Sequence, residues 1–269
     1  MVRVGIRARA KQLGHTIRGV PLLYSLTVVL LYVWSSVWYL LPCLWTGLVS
    51  LVVVVVIARG ILEVARMRRR AWLDYYLHRE GTLYRVLRGG VLMQTLSVAL
   101  ATGLAFIVLA QAPMWTTWHW AVLALSALVL FPIQRHLETK LSAEVRSENL
   151  EKIARHVCLR AHVGLVLAGL VVVGILSSQT DYANAPLEAV LMQIGPAGAC
   201  DLATVATRLF DLKQEAIYWL LQNQIGGYRD NGWLAILGWG LSFLILAGPF
   251  SWAFTRLLLG LDYRGRGGQ

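Results

Sequence analysis

The stretch Leu22–Ala58, LLYSLTVVLLYVWSSVWYLLPCLWTGLVSLVVVVVIA, runs for 37 residues without a charge. As one helix it would be roughly 55 Å long at 1.5 Å per residue, nearly twice the roughly 30 Å hydrocarbon core of a bilayer. One span cannot use it. Pro42 lies near its middle and lacks a backbone donor, so the chain is expected to fold back there. Trp34, Trp38, Tyr39 and Trp45 cluster around that proline, as amphipathic rings do where a helix reaches the headgroups. The reading is a tight hairpin, Pro21–Leu41 and Pro42–Ala58, with both open ends on one side.

Composition agrees. Apolar residues make up 57% of the chain and charged residues 14%, against roughly 45–50% and about 25% in soluble domains. The net charge of +11 does not imply nucleic acid, because the basic residues punctuate apolar runs instead of lining one face of a soluble domain. No small-residue cleavage site follows an early apolar core, so the first span is expected to stay as an anchor. The sequence carries no Asn-x-Ser/Thr acceptor, no phosphate-binding or dinucleotide glycine pattern, no HExxH and no CxxC.

Working outward, residues 1–20 hold Arg3, Arg7, Arg9, Lys11 and Arg18 and no acid, a flank that the positive-inside rule keeps cytoplasmic. Residues 59–90 are basic and amphipathic and are expected to lie at the inner membrane surface, broken at Gly81 and ended by Gly89–Gly90. Residues 91–134 repeat the hairpin, as Val91–Ala110 and Ala121–Ile133, with Trp115, Trp118 and Trp120 at the outer tip. Residues 135–162 read as an amphipathic cytoplasmic helix. A fifth span follows over 163–177, then an external helical loop over 178–231. Within that loop Pro186 opens one helix, and Asp201 can cap a second that Gly226–Gly227 closes. The sixth span covers 232–255, and 256–269 is a basic cytoplasmic tail.

This partition places 22 of the 25 Lys and Arg on the inner side, leaving Arg208, Lys213 and Arg229 in the long external loop. The expected architecture is therefore an all-α, polytopic membrane protein with six transmembrane helices as three hairpins and amphipathic interfacial helices. Both termini are cytoplasmic, and the bacterial inner membrane is the expected location. A five-span alternative, with Leu22–Ala58 as one kinked helix, would put the basic N-terminal flank and Arg66–Arg70 on opposite sides.

Function is much less legible. No Asp, Glu, Lys or Arg falls inside the six spans as drawn, which argues against proton-coupled transport. The six histidines are read as interfacial, with only His119 and His162 close to a span, and neither a cofactor nor a metal site is assigned. No catalytic residue is assigned either. Arg66, Arg68, Arg69 and Arg70 are candidates to hold anionic lipid headgroups on the cytoplasmic side; topology anchoring alone is the plainer reading. Pro132 and Pro249 are candidate helix kinks. Cys43 and Cys200 share the external compartment and are a possible disulfide, while Cys158 falls inside.

The reading favoured by these features is a non-catalytic subunit that scaffolds or assembles a multi-protein envelope complex, such as a secretion or transfer machine. Its partners would be membrane lipids and other membrane subunits or copies of itself, with no nucleic acid. Alternatives are an oligomeric channel or passive exporter, and a lipid-acting membrane enzyme using Asp181, Glu188 or Asp201.

Overall fold

The computed structural model describes residues 21–78, 81–82, 90–145, 147–176, 182, 185–192, 199–223 and 232–261. Among them the chain is helical, without strands, and six helices are long and apolar enough to cross a membrane. In chain order the helices are α1 (Pro21–Leu40), α2 (Cys43–Tyr76), α3 (Val91–Gln111), α4 (Thr117–Leu141), α5 (Ser147–Leu176), α6 (Leu187–Met192), α7 (Asp201–Asn223) and α8 (Gly232–Leu261). α6 and α7 are not spans.

The first turn of the chain falls where proline demands it. α1 tightens into a 3-10 turn at Trp38–Leu40, Leu41 is extended, and Pro42 stands as the residue before α2. The second hairpin turns through a 3-10 segment, Ala112–Met114, and Trp115–Thr116. Both tips lie at one end of the bundle, because the Trp34 indole of α1 donates to the Leu109 carbonyl near the end of α3 (2.9 Å). Trp34 and Trp38 are buried, while Tyr39 and Trp45 are exposed. The expected girdle is thus divided, since the first two rings turn into the bundle, where the Trp34 N–H finds a carbonyl.

α8 organises the packing. It lies against α2, α3 and α5, with α4 reached through α5. In its span window 59% of residues are buried, against 24–39% in the other five, so it is the central helix. Its closest approach is to α2. A β-carbon on Gly260 would sit 2.4 Å from the Val56 carbonyl oxygen, and one on Gly60 would sit 3.4 Å from the Gly260 Cα. Small residues allow this backbone-to-backbone crossing, which in lipid replaces the hydrophobic drive as a source of association. Between α4 and α5 the Val122 side chain seats on Gly169 in the same manner.

Helix ends differ from the expected segments at three places. Residues 59–76 do not form a separate surface helix, because α2 continues unbroken to Tyr76. Ala, Arg, Leu, Met and Glu dominate that stretch, and nothing in it stops a helix at the membrane surface. The break comes at Leu77, which is extended, before Gly81; Gly89 lies outside the described residues. Residues 135–162 are likewise not one helix. They are the adjoining ends of α4 and α5: a turn begins at Ser142, after Leu141, and α5 begins at Ser147. Serine favours such positions, and the turn makes α4 and α5 a second kind of hairpin, closed at the opposite end.

The third difference lengthens the last helix. α8 remains helical to Leu261, and its most apolar stretch is Gly240–Leu261, so Arg256 lies on the helix and not in a separate tail. Its guanidinium lies 5.7 Å over the Trp252 ring, and its long stem can carry the charge toward the interface. Pro132 and Pro249 sit inside continuous helices, α4 and α8, and both are exposed.

Candidate functional site

The segment that carries α6 and α7 is fastened to the first hairpin. Cys43, the first residue of α2, and Cys200, just before α7, are joined by a disulfide across a separation of 157 residues. The Ala199 N–H donates to the Tyr39 carbonyl beside it (2.8 Å). Asp201 occupies the first turn of α7, where a carboxylate meets the positive end of the helix dipole. The cap position expected of it goes to Cys200, whose carbonyl accepts from the Thr204 N–H (2.9 Å). Cys158, the remaining cysteine, is buried on α5.

α7 is braced along its length. Phe210 meets Phe106 of α3 with ring centres 5.8 Å apart. Farther on, the Trp219 indole donates to the Ala185 carbonyl (2.7 Å), and the Asn223 amide donates to the carbonyl of buried Tyr182 (2.9 Å). The Tyr182 hydroxyl donates to Glu215 and its N–H to the Gln222 side chain. The segment before α6 is thereby tied to the second half of α7.

One contact links this brace to a proline. Pro249 cannot supply the N–H that would bond the Ile245 carbonyl four residues earlier. Lys213 of α7 donates to that carbonyl instead, at 3.5 Å; the contact is long, so it marks a docking point more than it stabilises one. Ile245 lies 15 residues from Gly260, about 22 Å along α8, toward the disulfide end. Burial lowers the Lys213 ammonium from its ordinary range. Burial, and then the charge of Glu215, raise the Asp211 carboxyl.

Toward the start of α7, Val205 and Leu209 have little cover among the described residues: they are 56% and 54% exposed, with Arg208 between them also exposed. Leu220 is exposed farther along.

At the other end of the bundle, Arg66, Arg68, Arg69 and Arg70 all lie on α2. Arg66 is exposed and Arg69 half-buried. Arg69 lines a shallow groove of about 280 Å³ between α2 and α3. Asp181 lies outside the described residues, and Glu188 and Asp201 are exposed on α6 and α7. Among the described residues no three His, Cys, Asp or Glu side chains gather where they could hold a metal.

The sequence reading missed a buried histidine. From the sequence His162 reads as a residue close to the start of the fifth span, but α5 carries it into the core, fully buried, within the apolar stretch Ile153–Gly174. Its Nδ1 pairs with the Thr255 hydroxyl of α8 (2.8 Å) and its Nε2 with the Ser126 carbonyl of α4 (3.0 Å). One imidazole thus ties three helices together. His119 is also buried, at the start of α4, with Nδ1 2.7 Å from the Thr116 hydroxyl and its ring 4.5 Å from that of Trp115. The available signal for His162 was the hydroxyl pattern Ser251–Thr255 on α8, four residues apart on one face.

The chain matches no family model, no curated protein and no solved structure.

Proposed function

We propose that the protein is a non-catalytic integral membrane subunit that scaffolds or assembles a multi-protein envelope complex. The observation that carries this reading is the external segment. It is clipped by a disulfide, braced by its own hydrogen bonds, and still presents Val205 and Leu209 exposed on α7 among the described residues. Apolar residues held rigidly on an outward face need a cover, and a membrane partner supplies one. The uneven spread of basic residues supports cytoplasmic termini, and an oxidised Cys43–Cys200 pair fits the oxidising space outside a bacterial inner membrane.

The lipid-acting enzyme finds less support, because Glu188 and Asp201 stand exposed on separate helices. A pore through one copy finds little either, since the polar groups at His162 are spent on one another. Purification in mild detergent followed by mass analysis tests the proposal. Unrelated subunits should accompany the chain and be lost from the Val205→Asp, Leu209→Asp double variant. A stable lone monomer would overturn the reading, and a ring of identical copies would overturn it in favour of the channel.

A further inference from the structure

We propose that the groove between α2 and α3 is a binding site for an anionic phospholipid, with one acyl chain between the helices and the phosphate at Arg69. This site is independent of the scaffolding reading. Ile61, Ala65 and Arg69 follow one another at four-residue intervals and so form one stripe of α2. Met93, Leu96 and Leu100 form the facing stripe of α3. The two stripes enclose about 280 Å³, and from Ile61 to Arg69 the groove is about 12 Å long at 1.5 Å per residue. It runs along the helices, as a lipid chain does.

The chemistry is graded along that length. The deep end is hydrocarbon, Ser97 adds one hydroxyl, and among the described residues Arg69, at the end that leaves the apolar run, is the one charged side chain that lines the groove. Gly90, with φ of +51°, leaves room there: a β-carbon at this position would stand 3.1 Å from the Arg69 Nη1. The guanidinium therefore lies across the start of α3, whose first turn has no side-chain cap. Arginine presents a planar fork of donors that matches a phosphate. Arg66 stands exposed one turn earlier, and Arg68 and Arg70 flank Arg69 along the helix, so a diffuse positive field surrounds the built contact. A free anion would gain the cation but nothing from the apolar walls; a phospholipid uses both.

The test separates chain from headgroup. The full-length protein is reconstituted in nanodiscs of phosphatidylcholine with a minor share of phosphatidylglycerol of the same chains, released into detergent, and weighed by native mass spectrometry. The parent should retain one phosphatidylglycerol in preference to phosphatidylcholine. Arg69→Gln should lower that preference about fivefold, the equivalent of one basic contact at the membrane surface, and Arg69→Lys should restore part of it. Ala65→Trp fills the groove without changing charge and should abolish retention. If that variant does not fold, judged by its helical content, Leu96→Trp replaces it. Retention unchanged by the groove-filling residue would overturn the site, as would a preference unaltered in Arg69→Gln. Displacement of the lipid by excess inorganic phosphate would overturn it in favour of a simple anion site.

Discussion

The crossing of α2 and α8 yields the sharpest prediction, because two glycines face each other there with different room. In Gly260→Ala the new β-carbon would lie 2.4 Å from the Val56 carbonyl oxygen and 3.1 Å from its carbon. That is about 1 Å inside an ordinary C···O contact. The obstacle is backbone, so no rotamer change relieves it, and the helices must separate along their closest line. Overpacking of this kind costs about 1–3 kcal/mol, and a backbone obstacle puts it near the top. Alanine returns up to about 1 kcal/mol of helix propensity, leaving a net loss of about 2 kcal/mol. Gly60→Ala meets only the Gly260 Cα at 3.4 Å and two backbone atoms at 3.8 Å, which are ordinary contacts. There the propensity gain should stand alone. Thermal unfolding in detergent, followed by tryptophan fluorescence, reads the difference. Gly260→Ala should unfold about 4–8 °C below the parent and Gly60→Ala at or above it. Equal midpoints for the two variants would refute the crossing geometry.

Three further outcomes are expected. Alkylation of unreduced, denatured protein should label Cys158 alone, whereas three labelled cysteines would remove the Cys43–Cys200 clip, a constraint of about 5 kcal/mol for this separation in the chain-entropy account. A reporter fused after Gln269 should read cytoplasmic and one inserted near Asn184 external; the same side for both would defeat the six-span threading. The Asp211 carboxyl is raised when folded, so the folded form binds the extra proton and stability from this group falls as pH rises from the ordinary carboxylate range through the raised value. Asp211→Asn should therefore raise the unfolding midpoint at pH 7, with the gap closing toward pH 4, and a gap that widens on acidification would contradict the burial of Asp211.

Much of the fold is legible because lipid leaves few choices. A charge-free run too long for one span, with a proline at its centre, has to turn, and Leu41–Pro42 is where it does. The helix ends are legible only where a stop is written in the chain. At Pro42 there is one; at Ala58 there is none, so α2 passes the expected boundary and runs 18 residues farther, to Tyr76. Charge misled at α8 for a related reason. Arg256 looks like the first residue of a tail, but a guanidinium that lies over Trp252 can begin inside a span and end at its edge. The clip between Cys43 and Cys200 was legible as a shared compartment and not as a contact, since nothing local in the sequence brings positions 157 residues apart together.

The buried His162 shows what an ionisable residue at membrane depth is used for here. The Ser126 carbonyl can only accept, so Nε2 must carry a proton and donate to it. In the neutral ring Nδ1 is then the acceptor, and the Thr255 hydroxyl supplies its one proton. The same hydroxyl lies 2.8 Å from the Ser251 carbonyl, a bond it gives up in that arrangement. Little is lost, because that carbonyl keeps its own place in the helix ladder of α8. Both ring nitrogens are thus satisfied without a charge and without water, using α4 on one side and α8 on the other. A polar residue placed so deep is costly unless every donor and acceptor is met, and here meeting them holds α4, α5 and α8 in one register. The absence of a carboxylate among these partners makes the imidazole a strut between helices, so transport is not needed to account for it.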